Sequence, residues 1–66
     1  MKVSVNGEDQ ELECDMTVGS LVERLGLASR RVAVELNRSV VERDRWTATV
    51  LRERDQVEIV QFVGGG

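Results

Sequence analysis

The first residues alternate. In Lys2-Val3-Ser4-Val5 the two valines fall on one face of an extended chain, and Asn6-Gly7 follows. Asn-Gly is a strong two-residue hairpin signal, because both residues tolerate positive φ. Gln10 to Cys14 alternates again, which predicts a second strand with Leu12 and Cys14 facing inward. The period then changes. After Thr17, a good helix N-cap, residues Val18, Leu21, Val22 and Leu25 recur at i, i+3, i+4 and i+7, the apolar stripe of a short helix. Gly26 and Leu27 fit the C′ and C″ positions that end it. A helix this short does not stand alone, so its stripe must pack on the hairpin.

Val32 to Asn37 predicts a third strand with Val32, Val34 and Leu36 inward. Asn37-Arg38 turns the chain into a short segment, Ser39 to Val41. Residues 42–49 are polar apart from Trp46 and Ala48 and suit an irregular crossing or a short helical turn, with Trp46 covering the edge of the core. Leu51 adds a core residue. A final strand runs from about Gln56 to Val63, with Val57 and Ile59 inward. Hairpin, helix, strand, short strand, crossing and last strand make an α+β fold. In the β-grasp arrangement, a mixed sheet carries one helix on one face. The last strand then lies beside the first, in parallel, in the middle of the sheet, and a right-handed crossover permits that pairing.

Two features break the pattern. Val60 and Phe62 stand on the face of the last strand where polar residues are expected, and Val63 follows. Two apolar residues at i and i+2 beside a special terminus suggest a docking patch for a partner, although a chain dipping into the core near its end would show the same residues. The chain then ends Gly64-Gly65-Gly66. Without side chains, such an end is a thin, flexible tail that can thread a narrow crevice and deliver a terminal carboxylate to another protein's active site. A frayed terminus has the same composition. The expected organisation is a domain over 1–63 and a tail over 64–66.

Composition narrows the chemistry. Sixty-six residues make one small domain, and such a chain buries only about 60% of its unfolded surface, leaving little room for an enclosed active site. There is no His and no Tyr, and lone Cys14 has no imidazole to activate it. It reads as a small buried residue, and one cysteine without a disulfide partner fits a reducing, cytoplasmic setting. Asp9, Glu11, Glu13 and Asp15 recur every second residue, which places them on one exposed strand face. No cluster has metal-ligand spacing. Nine basic against twelve acidic residues give a net charge of −3. That balance argues against nucleic acid as the main partner, and no apolar run approaches the roughly 20 residues of a membrane helix. The chain reads as a substrate or partner of enzymes and not as an enzyme.

The segments Val32-Ala33-Val34-Glu35-Leu36-Asn37, Val41-x-Arg43-x-x-Trp46, Leu51 and Asp55-x-Val57-Glu58-Ile59-Val60-x-Phe62-Val63-Gly64-Gly65-Gly66 resemble the thiamine-pathway sulfur carrier (ThiS) family of the ubiquitin-like β-grasp superfamily. The resemblance covers essentially the whole chain. It implies that a ThiF-like adenylating enzyme, holding ATP and Mg²⁺, activates the Gly66 carboxylate. A sulfur donor then converts it to a thiocarboxylate, and a ThiG-like thiazole synthase receives the sulfur. It implies no cofactor bound by the chain itself, tail threading by Gly64 and Gly65, and partner binding by Val60, Phe62 and Val63. The family usually carries Gly-Asp before the last strand. Here Arg54-Asp55 stands there, and an arginine resists positive φ, which implies a different local turn. A molybdopterin-type sulfur carrier shares the fold and the Gly-Gly end but is typically longer and often has proline before the glycines. A ubiquitin-like protein modifier would share the chemistry up to the adenylate. A non-catalytic β-grasp binding module, for example one for RNA, would have an inert tail.

Overall fold

A computed structural model describes residues 1–62. Strands β1 (Lys2–Val5) and β2 (Glu8–Glu11) form the hairpin, paired from Lys2↔Glu11 to Val5↔Glu8. Asn6 and Gly7 make its tip with φ of 51° and 84°, the two left-handed residues of a type I′ turn. Helix α1 (Val18–Arg24) follows, then β3 (Val32–Leu36), β4 (Ser39–Val41), a 3₁₀ helix (Arg43–Ala48) and β5 (Gln56–Gln61). The five strands form one sheet in the order β2-β1-β5-β3-β4. β5 is central, parallel to β1 and antiparallel to β3. This is the β-grasp arrangement expected from the hydrophobic pattern.

The ends of α1 are built as the sequence predicts. The Thr17 hydroxyl accepts the Ser20 N–H at 3.0 Å, satisfying one donor of the first turn. At the other end Gly26, at φ 75°, donates to the Glu23 carbonyl and Leu27 to the Val22 carbonyl, both at 3.0 Å. That pair of bonds is a Schellman motif. Val18, Leu21 and Val22 pack against Val3, Val5, Val32, Val34, Val57 and Ile59 in the core, with Leu51, Leu12, Met16 and Trp46 completing it. Trp46 is buried and donates its indole N–H to the Val41 carbonyl at 2.9 Å, so it covers the core edge as expected.

Four expectations are corrected. The second strand spans Glu8–Glu11, not Gln10 to Cys14, and all of its residues are exposed. A charged, two-sided edge strand of this kind discourages pairing with other chains. Cys14 is exposed. Asp15 takes φ 69°, which breaks the alternation, and Met16 goes inward instead. Residues 16–18 then run against 49–51: Leu51 donates to the Met16 carbonyl, and Val18 donates to the Thr49 carbonyl. Leu25 is also exposed. It is the C-cap, where the helix ends, and partly buried Leu27 packs against the core in its place.

Arg54 does not resist the left-handed conformation: its φ is 70°. The turn is held from several sides. The Asp55 carboxylate accepts the Arg52 N–H at 2.8 Å and the Asn37 side-chain amide at 3.1 Å, while Arg54 donates to the Lys2 carbonyl at 2.7 Å. A left-handed non-glycine residue costs about 1–2 kcal/mol, and this set of bonds is large enough to offset it. The turn expected of a glycine is therefore kept.

Candidate functional site

The site is built on the exit of β5. At its start the strand is fastened on both sides. Asn37 donates its backbone N–H to the Gln56 carbonyl, and its side-chain oxygen accepts the Gln56 N–H at 3.0 Å. On the other side β1 pairs with β5 at Gln56 and Val57. There the hairpin turns away, and Asn6 extends the ladder with its side chain. Its amide oxygen accepts the Ile59 N–H at 2.7 Å and its amide nitrogen donates to the Ile59 carbonyl at 3.3 Å. Beyond Ile59, among the described residues, only the β3 side carries on, through Ala33↔Val60, Val32↔Gln61 and a bond from the Phe62 N–H to the Arg31 carbonyl at 2.9 Å. The strand thus leaves a firmly held sheet with one edge open.

Val60 and Phe62 are 55% and 57% exposed, whereas Val57 and Ile59 are buried. Val60 lies opposite Ala33 on the sheet face away from α1. Exposed Val40 shares that face, opposite Glu35, and Glu35 is in turn opposite Glu58. Two carboxylates directly across a strand pair repel and weaken the sheet slightly. The face therefore combines an apolar group with a like-charge pair that does not stabilise the sheet. Val40 and the Glu35–Glu58 row escaped the sequence reading, because only strand register reveals which residues stand side by side. Val63, Gly64, Gly65 and Gly66, the remaining expected site residues, lie outside the described residues.

Among the described residues no group of three or more His, Cys, Asp or Glu could hold a metal. Two surface depressions among the described residues are open. One, of about 190 Å³, is lined by Lys2, Ser4, Asp9, Arg54 and Gln56. The other, of about 330 Å³, lies between the start of α1 and the 3₁₀ helix, beside Arg43 and Trp46. No helix among the described residues is long and apolar enough to cross a membrane. Glu13, from the acidic run, pairs with Arg24 at 2.7 Å, and that hydrogen bond holds its carboxyl below the usual carboxylate value.

Comparison with known proteins agrees with the fold. The ThiS family matches residues 3–66. The sulfur carrier protein ThiS of Bacillus subtilis is 35% identical over 65 residues, covering 97% of this chain and 98% of that protein. A thiazole synthase of Magnetococcus marinus is 47% identical over the whole of this chain, which spans only 20% of that protein's length. The crystal structure of the thiamine biosynthesis protein ThiS from Geobacter metallireducens superposes with a TM-score of 0.84 at 36% identity, with both chains covered in full.

Proposed function

This chain belongs to the ThiS family of sulfur carriers, and from that premise we propose that Gly66 carries sulfur as a thiocarboxylate for thiazole formation in thiamine biosynthesis. The observation that carries the reading is the exit of β5. The central strand of the sheet brings exposed Val60 and Phe62 to the surface immediately before Gly64-Gly65-Gly66.

In this reading the Gly66 carboxylate oxygen attacks the α-phosphorus of ATP bound by a ThiF-like enzyme. The bond to the β-phosphate breaks and pyrophosphate leaves, with Mg²⁺ on that enzyme neutralising the charge. A carboxylate alone is a poor acceptor, because an oxide would have to depart. The acyl-adenylate has AMP as a good leaving group. Sulfide-level sulfur from a donor attacks the carbonyl carbon, the C–O bond to AMP breaks, and a thiocarboxylate remains. Holding sulfur this way avoids releasing free sulfide. Gly64 and Gly65 pass through the enzyme's channel because they present no β-carbon, while Val60, Phe62 and Val63 dock the folded body against it. A ThiG-like thiazole synthase then takes the sulfur. The carrier-like segment within the Magnetococcus marinus thiazole synthase favours a carrier and synthase that work side by side. Solvent-facing, unpaired Cys14 suits a reducing cytoplasm.

The test is ATP–pyrophosphate exchange by the adenylating enzyme. Exchange should depend on this chain and disappear when Gly66 is removed. Undiminished exchange with the truncated chain would reject Gly66 as the acceptor.

A further inference from the structure

The carrier reading gives Arg43 no task, although its spacing from Trp46 helped to mark the family. Its side chain reaches the surface, yet its guanidinium is engaged on three sides. It lies 4.5 Å from the centre of the Trp46 ring. Nη2 donates to the Arg30 carbonyl at 2.9 Å and Nη1 to the Ala28 carbonyl at 3.3 Å. Among the described residues no carboxylate forms a salt bridge with it. Both carbonyls belong to the loop between α1 and β3, which also folds on itself through the Arg30 N–H to Leu27 carbonyl bond at 3.0 Å. The next carbonyl along, that of Arg31, accepts the Phe62 N–H. β1 pairing has already stopped at Val57, and the Asn6 clip ends at Ile59.

We propose that Arg43 is a positioning residue for Phe62, at the exit of β5. Through the Ala28 and Arg30 carbonyls it fixes the loop, through the loop it fixes Arg31, and through Arg31 it fixes Phe62. Phe62 hands the chain on to Val63 and the three glycines. The anchor is Trp46, held in the core and tied to Val41. Arginine suits the task because its planar fork can lie on an indole and donate to two separate carbonyls at once. A lysine ammonium keeps the charge but cannot reproduce that geometry.

The conformational part stands on the contacts alone, and its consequence for charging rests on the carrier function proposed above. Amide hydrogen exchange by NMR on the full chain tests the first part, with Arg43→Lys and Arg43→Met both compared with the wild type. The Phe62 amide should exchange roughly tenfold faster in both variants, as expected when one local tether opens. The amides of Val34 and Leu21 should not change. An unchanged Phe62 amide, an equal acceleration at all three, or wild-type behaviour of Arg43→Lys would each overturn the proposal. In adenylation assays both variants should raise KM several-fold and leave kcat intact. A loss of kcat at unchanged KM would instead mean that Arg43 acts on the enzyme directly, and would also overturn it. If the wild-type chain is not charged at all, the carrier reading falls while the exchange result keeps its meaning.

Discussion

The two faces of β5 use similar residues for opposite ends. Val57 and Ile59 point toward α1 and are buried, while Val60 and Phe62 point away from it and are more than half exposed. The inward pair closes a core whose members are all apolar among the described residues. Among the described residues the outward pair is left more than half exposed, and its neighbours Glu35 and Glu58 stand opposite each other at some cost to the sheet. The contrast separates what the domain needs in order to fold from what, in the proposed carrier role, it would offer to another protein. Two exposed apolar side chains just before Gly64-Gly65-Gly66 are what the proposed docking to a partner requires.

The contrast can be broken at several points. Gly65→Ala should have the largest effect, lowering the rate of adenylation by at least about a hundredfold, because a displaced reacting carboxylate loses near-attack geometry. Its thermal unfolding should match the wild type, and normal charging would remove the threading argument. Val57→Ala, on the inward face, should cost about 2 kcal/mol of stability in urea titration, from lost burial and the cavity left behind. Phe62→Asp should do the reverse, weakening partner affinity by about thirtyfold in calorimetry with little change in melting temperature. Parallel loss of stability and affinity would place Phe62 in the core. Glu58→Gln should raise stability by a few tenths of a kcal/mol as the repulsion with Glu35 is relieved, and it should flatten the salt dependence of partner association.

The smallest effect concerns Glu13. Its carboxyl is held below the ordinary value by Arg24, so the folded state binds this proton less readily than the unfolded chain. The contribution is therefore present above the unfolded value and fades as pH falls through the folded one. Both partners are exposed. A comparison of wild type with Glu13→Gln should thus show a slight difference at neutral pH that vanishes in acid.

Much of this was legible in the sequence because it is local. The Asn6-Gly7 turn, the Thr17 cap, the Gly26–Leu27 stop and the stripe of Val18, Leu21 and Val22 each depend on a few neighbouring residues. What was not legible depends on backbone reversals or on distant strands. Asp15 in the left-handed region exchanged Cys14 for Met16 in the core. Arg54 kept a glycine-like turn because Asp55, Asn37 and Lys2 converge on it from three segments. The side chain of Asn6 completes the ladder of a strand more than fifty positions away, and no local pattern announces that. In the candidate site, alternation put Val60 and Phe62 on the outer face but left a dip into the core open, and the structure shows them exposed, whereas Val40, the Glu35–Glu58 row and the tether from Arg43 required the assembled sheet.

The central claim is that Gly66 carries sulfur. Intact-protein mass spectrometry, after incubation with ATP, a sulfide source and the cognate adenylating enzyme, tests it most directly. The account predicts a species in which one oxygen is replaced by sulfur, localised to Gly66. A chain that remains wholly in the carboxylate form under those conditions would contradict it.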